Sequence, residues 1–165
     1  SHDPINKVLK SEIGNKIKDY FFFCLIRNPF DWMVRSFWWY LYLKKKRNIN
    51  WINEVHQNEL IENFKFFLDN ESSSYFQKQK NIVTNKNINI KIFKYEEFEE
   101  NIKFIKERLN LSGEKIPIKD IRFKKLKIER EIFIDKQDEN KIIEVGEFFF
   151  KNYYKDLTLL SRYKK

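Results

Sequence analysis

The clearest hydrophobic pattern in the chain is an unbroken apolar run followed directly by helical spacing. Residues Tyr20 to Ile26 are apolar without alternation, which predicts a strand buried on both faces. The run ends at Arg27-Asn28-Pro29. Apolar residues then recur at helical spacing up to the basic run from Lys44 to Arg47: Phe30, Met33, Val34, Phe37, Trp38 and Leu41. The pattern therefore predicts a buried strand that leads into an amphipathic helix.

The rest of the chain alternates between helical and strand patterns. A helix is predicted over 59–68, a polar break at 72–74, a strand over 89–94, a helix over 96–109 and a last helix over about 137–157. Near the start, Asp3-Pro4 is typical of a helix N-terminus, and Gly14 is well placed to end that helix. Since no linker divides the chain, these elements predict one α/β domain over 1–165, with a parallel sheet flanked by helices and a helix-rich C-terminal half.

Composition narrows the class of protein. The 165 residues carry 33 Lys and Arg against 24 Asp and Glu, but 42% hydrophobic and 18% aromatic content excludes a disordered polybasic tail. The chain has no alanine and far more Lys than Arg, which indicates an AT-rich genome, so each Arg carries more information than each Lys. A single cysteine, Cys24, excludes a disulfide framework. The two histidines, His2 and His56, have no clustered acids near them in the sequence and so predict no metal site. We expect His56 to be exposed.

The junction between the first strand and its helix has a chemical meaning. In parallel α/β sheets, ligands bind beyond the carboxyl ends of the strands. The N-terminus of the following helix offers backbone N–H groups that favour an anion, and Arg27 at the strand end has a planar fork suited to phosphate. The alternative interpretation is that Arg27 only pairs with a carboxylate.

The residues around this junction resemble a known family. The segment from Phe22 to Val34 is similar to the signature of sulfotransferases that use 3′-phosphoadenosine 5′-phosphosulfate (PAPS). Three further segments resemble the family's elements in the same order: residues 1–14 with His2, Phe93 to Phe98, and Tyr154 to Leu157 with Tyr163. The resemblance implies a P-loop-like parallel sheet and transfer of a sulfuryl group from PAPS to a hydroxyl, that of a carbohydrate, with no metal.

The resemblance also implies roles for particular residues. Arg27 would hold the 3′-phosphate, and His2 would be the general base. The family's phosphate-binding Ser is replaced by Arg35, with Ser36 one position later, so either residue is a candidate for that contact. Arg122 and Arg130 lie in a Lys-rich stretch, 115–130, that would close over the nucleotide or the acceptor.

The sequence departs from the family in one major respect, and two other functions stay open. It contains no Pro-Lys-x-Gly-Thr-Ser type loop for the phosphosulfate, so we expect a domain truncated at its N-terminus and inactive on its own. The alternatives are a non-catalytic basic module for acidic polysaccharide or nucleic acid, and a degenerate sulfotransferase-like protein. The leading hypothesis predicts no nucleic-acid partner and no membrane segment. It predicts a cytoplasmic protein, or a Golgi lumenal one if an anchor precedes the chain.

Two further residues near the junction are candidates for the site. Trp39 lies off the main apolar stripe of its helix, so we expect it to bind ligand rather than fill the core. Glu96 follows the second strand and either orients Arg27 or simply places a favourable charge in the first helical turn.

Overall fold

The computed structural model describes residues 20–111, 113, 131–159 and 163. Within them, two β-strands and seven α-helices follow one another in the order β1 Phe22–Ile26, α1 Pro29–Lys44, α2 Ile49–Glu54, α3 Gln57–Asn70, α4 Ser72–Val83, β2 Ile90–Lys94, α5 Phe98–Arg108, α6 Lys136–Val145 and α7 Glu147–Tyr153. A 3₁₀ turn, Tyr95–Glu97, joins β2 to α5. Three predicted site residues lie outside the described residues: His2, Arg122 and Arg130. The helix predicted from Asp3-Pro4 also lies outside them.

The strands form a parallel pair, in which Phe22 lies opposite Ile90 and Ile26 lies opposite Lys94. Parallel strands need a crossover connection, and helices α1 to α4 provide it. The prediction of an α/β chain with parallel pairing is therefore confirmed. The sheet has two strands in the described part of the chain, and helices make up most of the rest.

The first predicted strand is confirmed as β1, but the prediction that both its faces are buried is wrong. Ile26 is fully buried, whereas Phe23 is 46% exposed. Successive side chains of a strand point to opposite faces, and with one neighbouring strand in the described part of the sheet β1 leaves Phe22, Cys24 and Leu25 only partly buried. The ring of Phe23 instead contacts the rings of Phe21 and Phe93, with centroids 6.1 and 6.0 Å away.

Helix α1 confirms the helical pattern after the strand, because all six of its predicted apolar positions are buried. Asn28 caps the helix by accepting a hydrogen bond from the backbone N–H of Phe30, and Pro29 occupies the first helical position. At the other end, Lys46 and Arg47 adopt positive φ angles of 49° and 66°. The six-residue helix α2 then follows, and the hydrophobic pattern does not predict it.

The polar break predicted at residues 72–74 is wrong. Helix α3 contains the predicted helix, but Ser72 begins α4 after an interruption at Glu71 alone. The buried Ser72 hydroxyl donates to the backbone carbonyl of Leu68, so this serine joins the two helices instead of forming a loop. Serine is common where a new helix begins, and the sequence pattern alone does not distinguish that position from a turn.

The last predicted helix is divided in two by Gly146. A Cβ atom there would lie 2.9 Å from the carbonyl oxygen of Ile142 and 3.1 Å from the ring of Phe76. Close approach of α4 therefore requires a residue without a side chain, and a new helix starts beyond it. The first of the two helices, α6, begins with a capping box between Asp135 and Asp138.

The core is aromatic and surrounds α1. Helix α1 packs against α2, α4 and α6, and five fully buried rings lie in the core: Phe30, Phe37, Phe64, Phe67 and Phe149. The rings of Phe37 and Phe64 meet edge to face with centroids 5.1 Å apart, a favoured arrangement for aromatic pairs. This packing fixes α1, and with it the residues that follow β1. Among the described residues, no helix has the length and apolar character to cross a membrane.

Candidate functional site

A cavity of about 640 Å³ opens at the carboxyl end of β1, beside α1. That volume lies within the range of small-molecule sites, roughly 300–1,000 Å³. Its walls come from β1, α1, α4 and the 3₁₀ turn after β2, and nine residues line it: Leu25, Arg27, Trp32, Arg35, Ser36, Trp39, Tyr75, Gln79 and Tyr95. We call this cavity the strand-end pocket.

Four of the predicted site residues line this pocket, whereas Glu96 does not. Arg27, Arg35 and Ser36 are brought together there, and so is Trp39, the tryptophan expected off the apolar stripe. The sequence left open whether Arg35 or Ser36 faces the ligand. Both line the pocket, with Ser36 almost fully buried and the side chain of Arg35 39% exposed. Their roles in binding remain predictions.

Arg27 lies between an aromatic ring and a carboxylate. Its guanidinium carbon is 3.6 Å from the ring centroid of Tyr95, and its Nε lies 3.4 Å from Oδ2 of Asp31. The side chain is only 16% exposed, so the stacked contact is largely shielded from water. Arg27 therefore does pair with a carboxylate, yet it still lines an open pocket.

Arg35 shares that carboxylate with Arg27. Its Nε donates to the same oxygen, Asp31 Oδ2, at 3.1 Å. The other oxygen, Oδ1, accepts a hydrogen bond from the hydroxyl of Tyr163 at 2.8 Å. Asp31 is buried, so a single carboxylate holds both pocket arginines and one tyrosine from the end of the chain.

Glu96 does not pair with Arg27 in the described structure. Its Oε1 accepts a hydrogen bond from the backbone N–H of Asn28 at 2.6 Å, and its Oε2 accepts one from the hydroxyl of Tyr154 at 2.8 Å. Burial, together with the hydrogen bond to Glu96, raises the pKa of Tyr154 far above its ordinary value. Glu96 therefore connects the residue after Arg27 to the C-terminal segment.

The beginning of α1 does not offer the free amides that the sequence suggested. The N–H of Asn28 is bonded to Glu96, the N–H of Phe30 is bonded to the Asn28 side chain, and Pro29 has no N–H. Protein groups thus satisfy the first amides of the helix. An anion in the strand-end pocket would be held by the side chains of Arg27, Arg35 and Ser36.

Two of the four tryptophans contribute to the aromatic wall of the pocket. Trp39 and Trp32 line the cavity, while Trp38 is buried in the core and Trp51 lies under the ammonium of Lys45 at 3.7 Å. Burial raises the pKa of Tyr75, which also lines the pocket, so this phenol stays protonated at neutral pH. The pocket combines two cations with neutral aromatic surfaces, an arrangement that can bind an anion attached to a planar ring.

Two other clefts have a different character. A cavity of about 500 Å³ between α4 and α7 is lined by two lysines and two glutamates, and a cleft of about 360 Å³ lies between α3 and α6. Neither lies at a strand end, and both are lined by side chains of both charges. His56 is exposed, as expected, and no group of three metal-ligating side chains occurs among the described residues.

Sequence reasoning missed Tyr75, Gln79 and Tyr95 among the lining residues, and it missed the two residues that connect the pocket arginines, Asp31 and Tyr163. Asp31 lies four positions after Arg27 and four before Arg35, and this spacing is the signal that could have identified it as their shared partner. Tyr163 lies 132 residues from Asp31 and gives no local signal beyond its place in the family resemblance.

No protein-family model matches the chain, and neither the curated proteins nor the solved structures contain a significant match.

Proposed function

We propose that the protein is a PAPS-dependent sulfotransferase with a P-loop-like sheet, and that the strand-end pocket binds the nucleotide. The observation that carries the proposal is the convergence of Arg27, Arg35 and Ser36 in one cavity at the end of β1. Arg27 belongs to the segment that resembles the sulfotransferase signature, and Arg35 and Ser36 directly follow it. Two guanidinium groups and a hydroxyl are suited to a phosphate, since arginine presents paired donors to phosphate oxygens.

The proposed reaction moves a sulfuryl group to a hydroxyl of a carbohydrate, and we expect this sequence to be inactive in it without a phosphosulfate loop. The acceptor oxygen attacks sulfur, the bond between sulfur and the oxygen of the 5′-phosphate breaks, and adenosine 3′,5′-bisphosphate leaves. Arg27 and Arg35 hold the 3′-phosphate, with Ser36 as a further donor, and Trp39 and Tyr95 provide flat surfaces for the ring systems. By the family resemblance, His2 accepts the acceptor's proton, and Arg122 and Arg130 close over the nucleotide.

Calorimetric titration with adenosine 3′,5′-bisphosphate tests the nucleotide pocket. We expect one site per chain, weaker binding of adenosine 5′-monophosphate, and a preference that persists in about 0.5 M salt, where the Debye length is only a few ångströms. A preference that disappears with salt would indicate generic attraction to a basic protein. The absence of any nucleotide binding would overturn the proposal.

A second candidate function is a non-catalytic module that binds an acidic polysaccharide or nucleic acid. One observation favours it: the basic run Lys44 to Arg47 forms no ion pair with a carboxylate in the described part of the chain. Lys44 and Lys45 instead lie over the rings of Phe66 and Trp51, at 4.9 and 3.7 Å. Basic and aromatic groups side by side are typical of surfaces that bind polyanions.

The two candidate functions predict different binding results for a variant of the basic run Lys44 to Arg47. Replacement of Lys44 and Lys45 by Gln removes charge from the basic run and leaves the strand-end pocket unchanged. If the protein is a polyanion-binding module, this double variant loses binding to single-stranded DNA or polyuronate. If it is a sulfotransferase, the variant keeps its affinity for adenosine 3′,5′-bisphosphate.

A further inference from the structure

We infer that Asp31 and Tyr163 form a positioning pair that sets the separation and orientation of the two pocket arginines. The inference rests on the proposed function, because it assigns a purpose to that spacing: simultaneous contact of Arg27 and Arg35 with one anion. Neither Asp31 nor Tyr163 lines the pocket, so both act through the arginines.

A single oxygen of Asp31 contacts both pocket arginines. Asp31 lies in the first turn of α1, where its side chain reaches back to Arg27 and forward to Arg35, and Oδ2 contacts Nε of both. Since two guanidinium groups repel one another, a buried carboxylate between them is what allows them to face the same cavity. Both contacts join the Nε of the guanidinium to Oδ2 of Asp31.

Tyr163 fixes the orientation of the Asp31 carboxylate. A carboxylate can rotate about its bond to the side chain, and rotation would exchange the oxygen that the arginines contact. The hydroxyl of Tyr163 donates to Oδ1 at 2.8 Å and so defines which oxygen faces them. Hydrogen bonds to a charged acceptor are stronger and shorter than neutral ones, so this single bond is a firm restraint.

Tyr163 is itself held by its burial and by a backbone hydrogen bond. The side chain is buried, and its backbone carbonyl accepts a hydrogen bond from the N–H of Ile134 at 2.6 Å. Ile134 is buried and directly precedes Asp135, the N-cap of α6. The tyrosine is therefore fixed to a rigid helix start, which is the property required of a residue that positions others.

Two matched variants test the inference. Tyr163→Phe removes only the hydroxyl that contacts Asp31. Tyr154→Phe removes a hydroxyl that contacts another carboxylate, Glu96, at the same distance of 2.8 Å, and Tyr154 does not line the pocket. Both changes delete one tyrosine–carboxylate bond from a buried ring, so we expect similar losses of thermal stability.

The first readout is the NMR spectrum of the arginine Nε–H groups, recorded without ligand. We expect the resonances of Arg27 and Arg35 to shift and exchange faster with water in Tyr163→Phe, and to stay as in the wild type in Tyr154→Phe. The second readout is affinity for adenosine 3′,5′-bisphosphate. We expect a loss of about ten- to 150-fold in Tyr163→Phe, corresponding to one hydrogen bond to a charged group, and less than twofold in Tyr154→Phe.

The outcomes separate this inference from the proposed function. If the wild type binds no nucleotide but the Nε–H resonances change only in Tyr163→Phe, the positioning pair stands and the nucleotide assignment fails. If the resonances of Tyr163→Phe match those of the wild type, the inference is overturned whatever the ligand. It is also overturned if both variants lose affinity equally and in proportion to their stability, since that is the result expected of a purely structural bond.

Discussion

Replacing Arg27 by Lys is the change that bears most directly on the strand-end pocket. The substitution keeps the positive charge but removes the planar fork and its stacking on Tyr95. Lysine presents a single ammonium, so it cannot make two parallel hydrogen bonds to one phosphate. We expect the affinity for adenosine 3′,5′-bisphosphate to fall by about 1–3 kcal/mol, or about five- to 150-fold.

The stability of the fold is expected to change much less than the affinity. Asp31 keeps its hydrogen bonds from Arg35 and Tyr163, so the buried carboxylate is not left unpaired. The main loss is the cation–π contact with Tyr95, worth about 0.5–2 kcal/mol in a shielded position and partly regained by the lysine. For a chain of this size that corresponds to a fall of only a few degrees in Tm, on the order of 2–4 °C per kcal/mol.

The assay combines isothermal titration with thermal unfolding of the same samples. Arg108→Lys is the matched control, because Arg108 is exposed at the end of α5 and does not line the pocket. We expect the control to keep both affinity and Tm. An Arg27→Lys variant with unchanged affinity and a large drop in Tm would refute the reasoning and leave Arg27 as a structural partner of Asp31.

Three further predictions follow from the fold and the sequence. Gly146→Ala should lower the free energy of unfolding by about 1–3 kcal/mol in urea titrations, since the new methyl would overlap the carbonyl of Ile142 and the ring of Phe76. Asp135→Ala removes the α6 cap and should cost about 0.5–2 kcal/mol at pH 7. The hydrogen bond from the α6 backbone lowers the Asp135 pKa, so the stability it contributes is complete above an aspartate's ordinary pKa and is lost as the pH falls through the lowered value. Arg130→Ala should weaken adenosine 3′,5′-bisphosphate more than adenosine 5′-monophosphate in titrations at high salt, and equal losses would remove residues 115–130 from the site.

The elements that could be predicted from the sequence are those whose signal is local. Helix α1 has apolar residues at every expected position and a cap at Asn28, so its pattern and its burial agree. Strand β2 was identified from alternation over five residues. Two of the errors share a cause, because Phe23 and Gly146 depend on neighbours far along the chain, whereas Ser72 bonds Leu68 only four residues earlier. The exposure of Phe23 follows from the size of the sheet, and the break at Gly146 follows from the approach of Phe76.

The same distinction holds for the site. Arg27 could be found because a buried strand ends beside it, and Trp39 because it lies off the apolar stripe of α1. The aromatic partner of Arg27, Tyr95, lies 68 residues away, and Tyr163 lies further still. Periodicity carries no information about such contacts, since they depend on how the sheet and the helices are brought together. The prediction of free amides at the start of α1 was wrong for the same reason. Glu96, which follows the other strand, accepts the hydrogen bond of the Asn28 amide.

The contacts between distant segments bear on the proposed function in a way that no single residue does. The family resemblance was based on short segments and their order along the chain, with no information about their separation in space. In the structure, three of these segments meet through side-chain hydrogen bonds: Asp31 to Tyr163, Glu96 to Asn28, and Glu96 to Tyr154. Strand pairing brings Glu96 beside Asn28, because Ile26 lies opposite Lys94, and the bonds from Tyr154 and Tyr163 add the C-terminal segment. Glu96 holds the backbone of Asn28, which directly follows Arg27, so Glu96→Ala should weaken nucleotide binding although Glu96 does not line the pocket. Loss of the Tyr154 hydroxyl alone leaves the bond between Glu96 and Asn28 in place.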